Sequence, residues 1–125
     1  NSSHTLRSDS FQSSPSKQVR IETVSPDKKM ILSDRNRSIE IYSINNTHSD
    51  GMLAVYLPSE KVLLISDLYS PGSTPEPFRK YSKEFLKFIN DSGIEVDMIA
   101  GTHGDSGGGP IDDLYDFVNL RLSKQ

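Results

Sequence analysis

Apolar positions along the chain change their spacing part-way, and that change divides it into a sheet-forming region and a helical one. Residues 1–18 hold seven serines, with only Leu6 and Phe11 as sizeable apolar groups. A flexible lead-in is predicted there, because so little apolar surface cannot offset the entropy of ordering. From Val19 onward the apolar residues come in short runs. Those at 19–24, 30–32 and 39–44 read as strands, with Pro26-Asp27 and Asp34-Arg35-Asn36 as turns. The third run, Ile39-Glu40-Ile41-Tyr42-Ser43-Ile44, partly alternates, as a half-buried strand does. The runs 52–57 and 62–65 are apolar at nearly every position and are joined by Pro58-Ser59-Glu60-Lys61. They predict a hairpin in the middle of a sheet covered on both sides, which is a sandwich signal.

Beyond residue 70 the period becomes helical. Phe78, Tyr81, Phe85, Phe88 and Ile89 predict an amphipathic helix over about residues 75–91. Ser73-Thr74-Pro75-Glu76 reads as its capping box, and Gly93 as its stop. A short buried strand is predicted at 94–100. A last helix at 111–122 places Ile111, Leu114, Tyr115, Val118 and Leu122 on one face. Pro110 opens that helix, and Asp112 and Asp113 suit the positive end of its dipole. The whole is an α/β fold with a mixed sheet and two flanking helices, forming one domain over residues 19–125.

Composition removes several classes of function. With 34% apolar and 25% charged residues and a net charge of −3, the chain lacks the basic stripe of a nucleic-acid binder. No apolar run reaches the length of a membrane span, and none has the layout of a signal peptide. The absence of cysteine rules out a disulfide framework and thiolate metal ligands. It is compatible with a cytoplasmic, periplasmic or secreted setting. A first residue of Asn rather than Met is read as a sign of processing or truncation.

Three residues carry the candidate chemistry. His48 lies in the loop after the strand at 39–44, Asp67 follows the run 62–66, and His103 follows the strand at 94–100. If the first of these strands runs up, the next runs down and its hairpin partner runs up again. A helical crossover then returns the chain, so that the strand at 94–100 also runs up. His48, Asp67 and His103 are therefore predicted at one edge of the sheet. A carboxylate closing a buried strand needs a neutralising partner. A divalent cation held by two imidazoles and that carboxylate supplies one, and the donor types suit zinc or iron.

The segment Thr47-His48-Ser49-Asp50-Gly51, followed by Lys61-Val62-Leu63-Leu64-Ile65-Ser66-Asp67-Leu68, resembles the third and fourth metal motifs of the metallo-β-lactamase superfamily. Ile99-Ala100-Gly101-Thr102-His103-Gly104 resembles its last motif. The resemblance runs from about Val19 to the end and rests on the order and spacing of the motifs. It implies the C-terminal half of an αββα sandwich with a two-zinc site, iron or manganese being alternatives. His48 would complete the first metal position, Asp67 would bridge the two metals, and His103 would serve the second. It also implies a small-molecule substrate whose ester, thioester, amide or phosphoester bond is attacked by metal-bound hydroxide. An aspartate rather than a cysteine after the 62–66 run resembles the broader hydrolase branches, not the antibiotic-degrading ones.

The family's N-terminal motif, His-x-His-x-Asp-His, is absent. His4 has no histidine two residues on and is no relic of it. The resemblance therefore implies a parent hydrolase of which this chain is an inactive fragment. It also leaves an apolar sheet face bare, through which a homodimer is the alternative, as a non-catalytic binding or dimerisation module. Gly104-Asp105-Ser106-Gly107-Gly108-Gly109-Pro110 resembles the nucleophile loop of trypsin-like proteases with one glycine too many. Those enzymes need an all-β double barrel, so the stretch reads as a Gly-rich loop. Asp50 is not expected as a ligand, and the stripe Phe78, Tyr81, Phe85, Phe88 is expected as core.

Overall fold

A computed structural model describes residues 20–26, 28–72, 75–103 and 107–119. Its elements run β1 (Lys29–Ser33), β2 (Ser38–Ser43), β3 (Leu53–Leu57), β4 (Val62–Ile65), a 3-10 turn (Glu76–Phe78), α1 (Arg79–Ser92), β5 (Met98–Gly101), β6 (Gly108–Pro110) and α2 (Ile111–Asn119). The strands form one six-stranded sheet in sequence order. Every neighbouring pair is antiparallel except β4 and β5, which run parallel across the α1 crossover. A mixed α/β sheet with two helices is what the alternation of periods anticipates.

The register explains which residues form the core. Tyr56 pairs with Leu63, and Leu63 with Ile99. Paired residues share a face, so these point together toward the helices. With Ala54 and Ile65 they meet Phe85, Leu86 and Ile89 of α1 and Leu114 of α2, all buried. Between the helices, Tyr69 stacks at a tilt on Phe117, and the Arg79 guanidinium lies 5.3 Å from the same ring.

The opposite face is a different surface. Val55 pairs with Leu64 and Leu64 with Ala100, while Leu57, Val62 and Met98 form the next row. Among the described residues no second layer lies over it. Leu32, Leu53 and Met98 are 49%, 46% and 41% exposed. The near-continuous apolar runs of β3 and β4 thus have helices on one side only.

Several boundaries differ from the sequence expectation. Residues 20–24 form no strand, and Ile21 is 79% exposed. Val19 lies outside the described residues. The anticipated strand at 94–100 begins only at Met98, where pairing with Val62 starts. Ile94 and Val96 pack on the core from a loop instead. The helix expected over residues 75–91 is a 3-10 turn followed by α1, and neither has a side-chain cap. Pro75 itself holds the turn's N-cap position, while Ser73 and Thr74 lie outside the described residues. The Gly-rich loop is partly a strand. Gly108 and Gly109 pair with Ala100 and Ile99 as β6, and Pro110 ends that strand rather than opening the helix. Residues 120–122, the end of the predicted last helix, are outside the described residues, as is Ser106.

Gly93 does stop α1. It holds φ +66 at the C-cap, a left-handed conformation that costs an L-residue about 1–2 kcal/mol. Gly93→Ala is expected to destabilise the chain by about 1 kcal/mol in urea unfolding. An unchanged midpoint would show that the helix end readjusts.

Candidate functional site

His48, Asp67 and His103 lie together where β2, β4 and β5 end. The His103 Nε2 is 2.7 Å from one carboxylate oxygen of Asp67, and the His48 Nε2 is 3.8 Å from the other. The first distance is a hydrogen bond. The second is too long for one.

Each residue is placed by local structure. The loop between β2 and β3 is closed at its base by the Ile44 N–H donating to the Met52 carbonyl. Within it the Asn46 side chain accepts from the backbone N–H groups of His48 and Ser49, both at 2.9 Å, which is the Asx-turn use of asparagine. Glu84 of α1 accepts from the Thr47 N–H at 2.8 Å and from its hydroxyl at 2.7 Å. The His48 ring stacks at a tilt on Tyr81, centroids 4.7 Å apart, with Phe78 at 6.4 Å.

Asp67 occupies a turn just past β4, at φ +25. Such a value is uncommon for a residue with a Cβ, costs about 1–3 kcal/mol and persists only where the surroundings hold it. Here they do. Leu68 is fully buried, its N–H donates to the Ser66 carbonyl, and its own carbonyl accepts from the buried Ser82 hydroxyl at 2.8 Å. Burial pushes the Asp67 carboxyl upward. The Ser66 hydroxyl, the His103 imidazole and the residue's own N–H outweigh that and hold it below the ordinary carboxylate range.

His103 follows Gly101 at the end of β5. A Cβ on Gly101 would lie 3.0 Å from the His103 carbonyl and 3.1 Å from Pro71, so a larger residue would press on the turn that carries His103. Thr102 ties this turn to β4, its N–H donating to Ile65 at 3.1 Å and its hydroxyl to Ser66 at 2.9 Å.

Asp67 does not close a buried strand. The Asp67 side chain is 42% exposed because β4 ends two residues earlier, so burial alone does not force a counter-ion on it. Phe78, expected as core, is instead 38% exposed. With Pro75, Ser70 and the trio itself it lines a cleft of about 210 Å³. Position along the helix marks Phe78 as the rim end of the stripe, and nothing else in the sequence distinguishes it. A larger groove of about 930 Å³ between α1 and the β1–β2 side takes in Asp50 and contains none of the trio.

Among the described residues no group of three or more histidine, cysteine, aspartate or glutamate side chains stands ready around a single metal position. His103 is closed directly onto Asp67, using the carboxylate oxygen a cation would take. In kind, two imidazoles and a carboxylate suit zinc. In number they fall short of a closed tetrahedral shell. Also among the described residues, no helix is long and apolar enough to cross a membrane.

A sheet whose like-directed strands deliver these side chains at their C-terminal ends defines an α/β protein with its candidate site at the usual rim. The particular fold is that of the metallo-β-lactamases, matched over part of their length. TMB-1, in a study of residues 119 and 228 in substrate and inhibitor binding, superposes with a TM-score of 0.55 and 17% identity, over 86% of this chain and 50% of that one. The metallo-β-lactamase from Pontibacter korlensis gives 0.53 and 14%, over 86% and 52%. A double mutant of the sec-alkyl sulfatase PisA1 gives 0.53 and 16%, over 81% and 17%. At these identities the likeness is one of fold, and the chain spans about half the length of the two lactamases. No family model and no curated protein matches the sequence.

Proposed function

We propose that this chain supplies one side of a zinc-type metal site in a hydrolase of the metallo-β-lactamase superfamily, with His48, Asp67 and His103 as donors. The observation that carries the reading is the approach of two imidazole Nε2 atoms to the two oxygens of one carboxylate, at 3.8 and 2.7 Å. When bound, such a cation supplies Lewis-acid polarisation and a nucleophile active at neutral pH. The chain's own part is placement. Asp67 orients the His103 ring, the β5 turn holds His103 beside it, and Phe78 with Pro75 gives the cleft an apolar wall for a small-molecule substrate. The bond broken is an ester, thioester, amide or phosphoester.

Three donors shared over a two-metal site hold neither ion tightly, so the chain by itself is proposed to be inactive. Calorimetric titration with Zn²⁺ is the test. Weak binding that disappears in the His48→Ala and His103→Ala variants supports the reading. Tight stoichiometric binding overturns the incomplete site, and binding indifferent to both variants overturns the donors.

A second reading rests on a separate observation, the uncovered apolar sheet face with Leu32, Leu53 and Met98 about half exposed. In it the half-domain pairs with a second copy, face to face, as two sheets stack in a sandwich. A dimer by light scattering that becomes monomeric in Leu53→Lys is the expected result. A monomeric parent chain would refute it.

A further inference from the structure

The hydrogen bonds inside the His48 loop are local. Asn46 ties the backbone of His48 and Ser49 and donates to the Ile44 carbonyl at 3.0 Å. These bonds set the loop's shape. They do not set its position relative to Asp67, which lies on a different turn.

That position is referred to α1. Both carboxylate oxygens of Glu84 are committed to Thr47, one to the backbone N–H and one to the hydroxyl, across 37 residues of sequence. One turn earlier on the same helix, Tyr81 lies against the His48 ring. Between them Ser82 donates to the carbonyl of Leu68, the residue after Asp67. A single helix thus contacts both turns that carry the His48–Asp67 approach.

We propose that Glu84 is a positioning residue for His48, clamping the preceding Thr47 so that the imidazole stays seated on Tyr81 and turned toward Asp67. Its relevance to metal binding rests on the function proposed above. The clamp itself does not. Glutamate suits this work because its two oxygens accept a divergent pair of donors from one residue. Glutamine can do the same, its carbonyl accepting from the N–H and its amide donating to the Thr47 hydroxyl. Alanine cannot.

The test compares Glu84→Ala with Glu84→Gln in the full chain, with thermal melts to confirm folding. In the metal-free protein, proton NMR reads the ring-current shift that Tyr81 imposes on the His48 ring protons, and hydrogen exchange reads the Thr47 amide. The expected result is loss of both in E84A and retention of both in E84Q. Zn²⁺ titration should then show affinity falling about tenfold or more in E84A, the scale on which outer partners of metal ligands act, and staying within about threefold in E84Q. An unchanged His48 shift in E84A overturns the clamp, whatever the metal does. An E84Q loss equal to that of E84A also overturns it, because charge rather than placement would be at work. Affinity insensitive to His103→Ala with the clamp intact refutes the metal reading alone.

Discussion

Asp67→Gly is expected to lose Zn²⁺ binding while unfolding at or above the midpoint of the parent chain. Two opposing consequences of one position produce this result. The carboxylate is the group that both imidazoles approach. Its removal leaves two histidines with no shared anion and should cost more than the ~10–100-fold that follows loss of an outer partner. The backbone at Asp67 stands at φ +25, where glycine removes a steric cost of about 1–3 kcal/mol. Against that gain stand the lost bonds to Ser66 and His103 on a half-exposed side chain, about 1 kcal/mol together at this exposure. Asp67→Asn separates the two effects, because asparagine tolerates the left-handed region and keeps the shape of the side chain. Its midpoint should stay near the parent's while Zn²⁺ binding falls. Calorimetry with Zn²⁺ and urea unfolding read both quantities. An Asp67→Asn chain that binds Zn²⁺ as the parent does would remove Asp67 from the donor set. An Asp67→Gly chain less stable by more than about 1 kcal/mol would show that the turn stores no strain.

Phe85→Ala is expected to destabilise the chain by about 3–5 kcal/mol, the range for truncating a fully enclosed phenylalanine. Phe85 has no exposed surface and sits where α1 meets Leu63 and Ile99 of the central strands. Domains of this size are stable by only about 5–15 kcal/mol. A chain with one bare sheet face belongs at the low end, so much of the population should unfold at room temperature. The His48 loop and the Asp67 turn both hang on α1 and should be lost with it. Phe78→Ala is the contrast. Its ring is 38% exposed at the cleft, so it should cost about 1 kcal/mol or less. Far-UV circular dichroism in urea distinguishes them, and equal effects would place Phe85 outside the core.

The difference between these two phenylalanines shows where sequence reasoning stops. Helical spacing puts Phe78, Tyr81, Phe85 and Phe88 on one stripe and says nothing about which end of the stripe projects past the sheet. The structure puts Phe78 in the cleft, at the end of the 3-10 turn that precedes α1. Ile94 and Val96 illustrate the same limit. Their apolarity predicts burial, and they are partly buried, but strand pairing waits for Val62 opposite Met98. Gly108 and Gly109 carry no side-chain signal of a strand at all. They pair because β5 offers a free edge.

Periodicity gave the class of fold, since short apolar runs followed by an amphipathic helix and another strand point to a mixed sheet with helices packed on it. The continuous runs of β3 and β4 also pointed to a second covered face, which the described residues do not supply. Alternation of strand direction also puts His48, Asp67 and His103 at one rim. Tertiary structure alone decided that Asp67 is half exposed on a positive-φ turn, that His103 bonds it directly while His48 stands off, and that Glu84 reaches Thr47. Those outcomes depend on where a helix crosses a sheet and how tightly two turns close. Contacts between residues 37 positions apart leave no trace in local spacing.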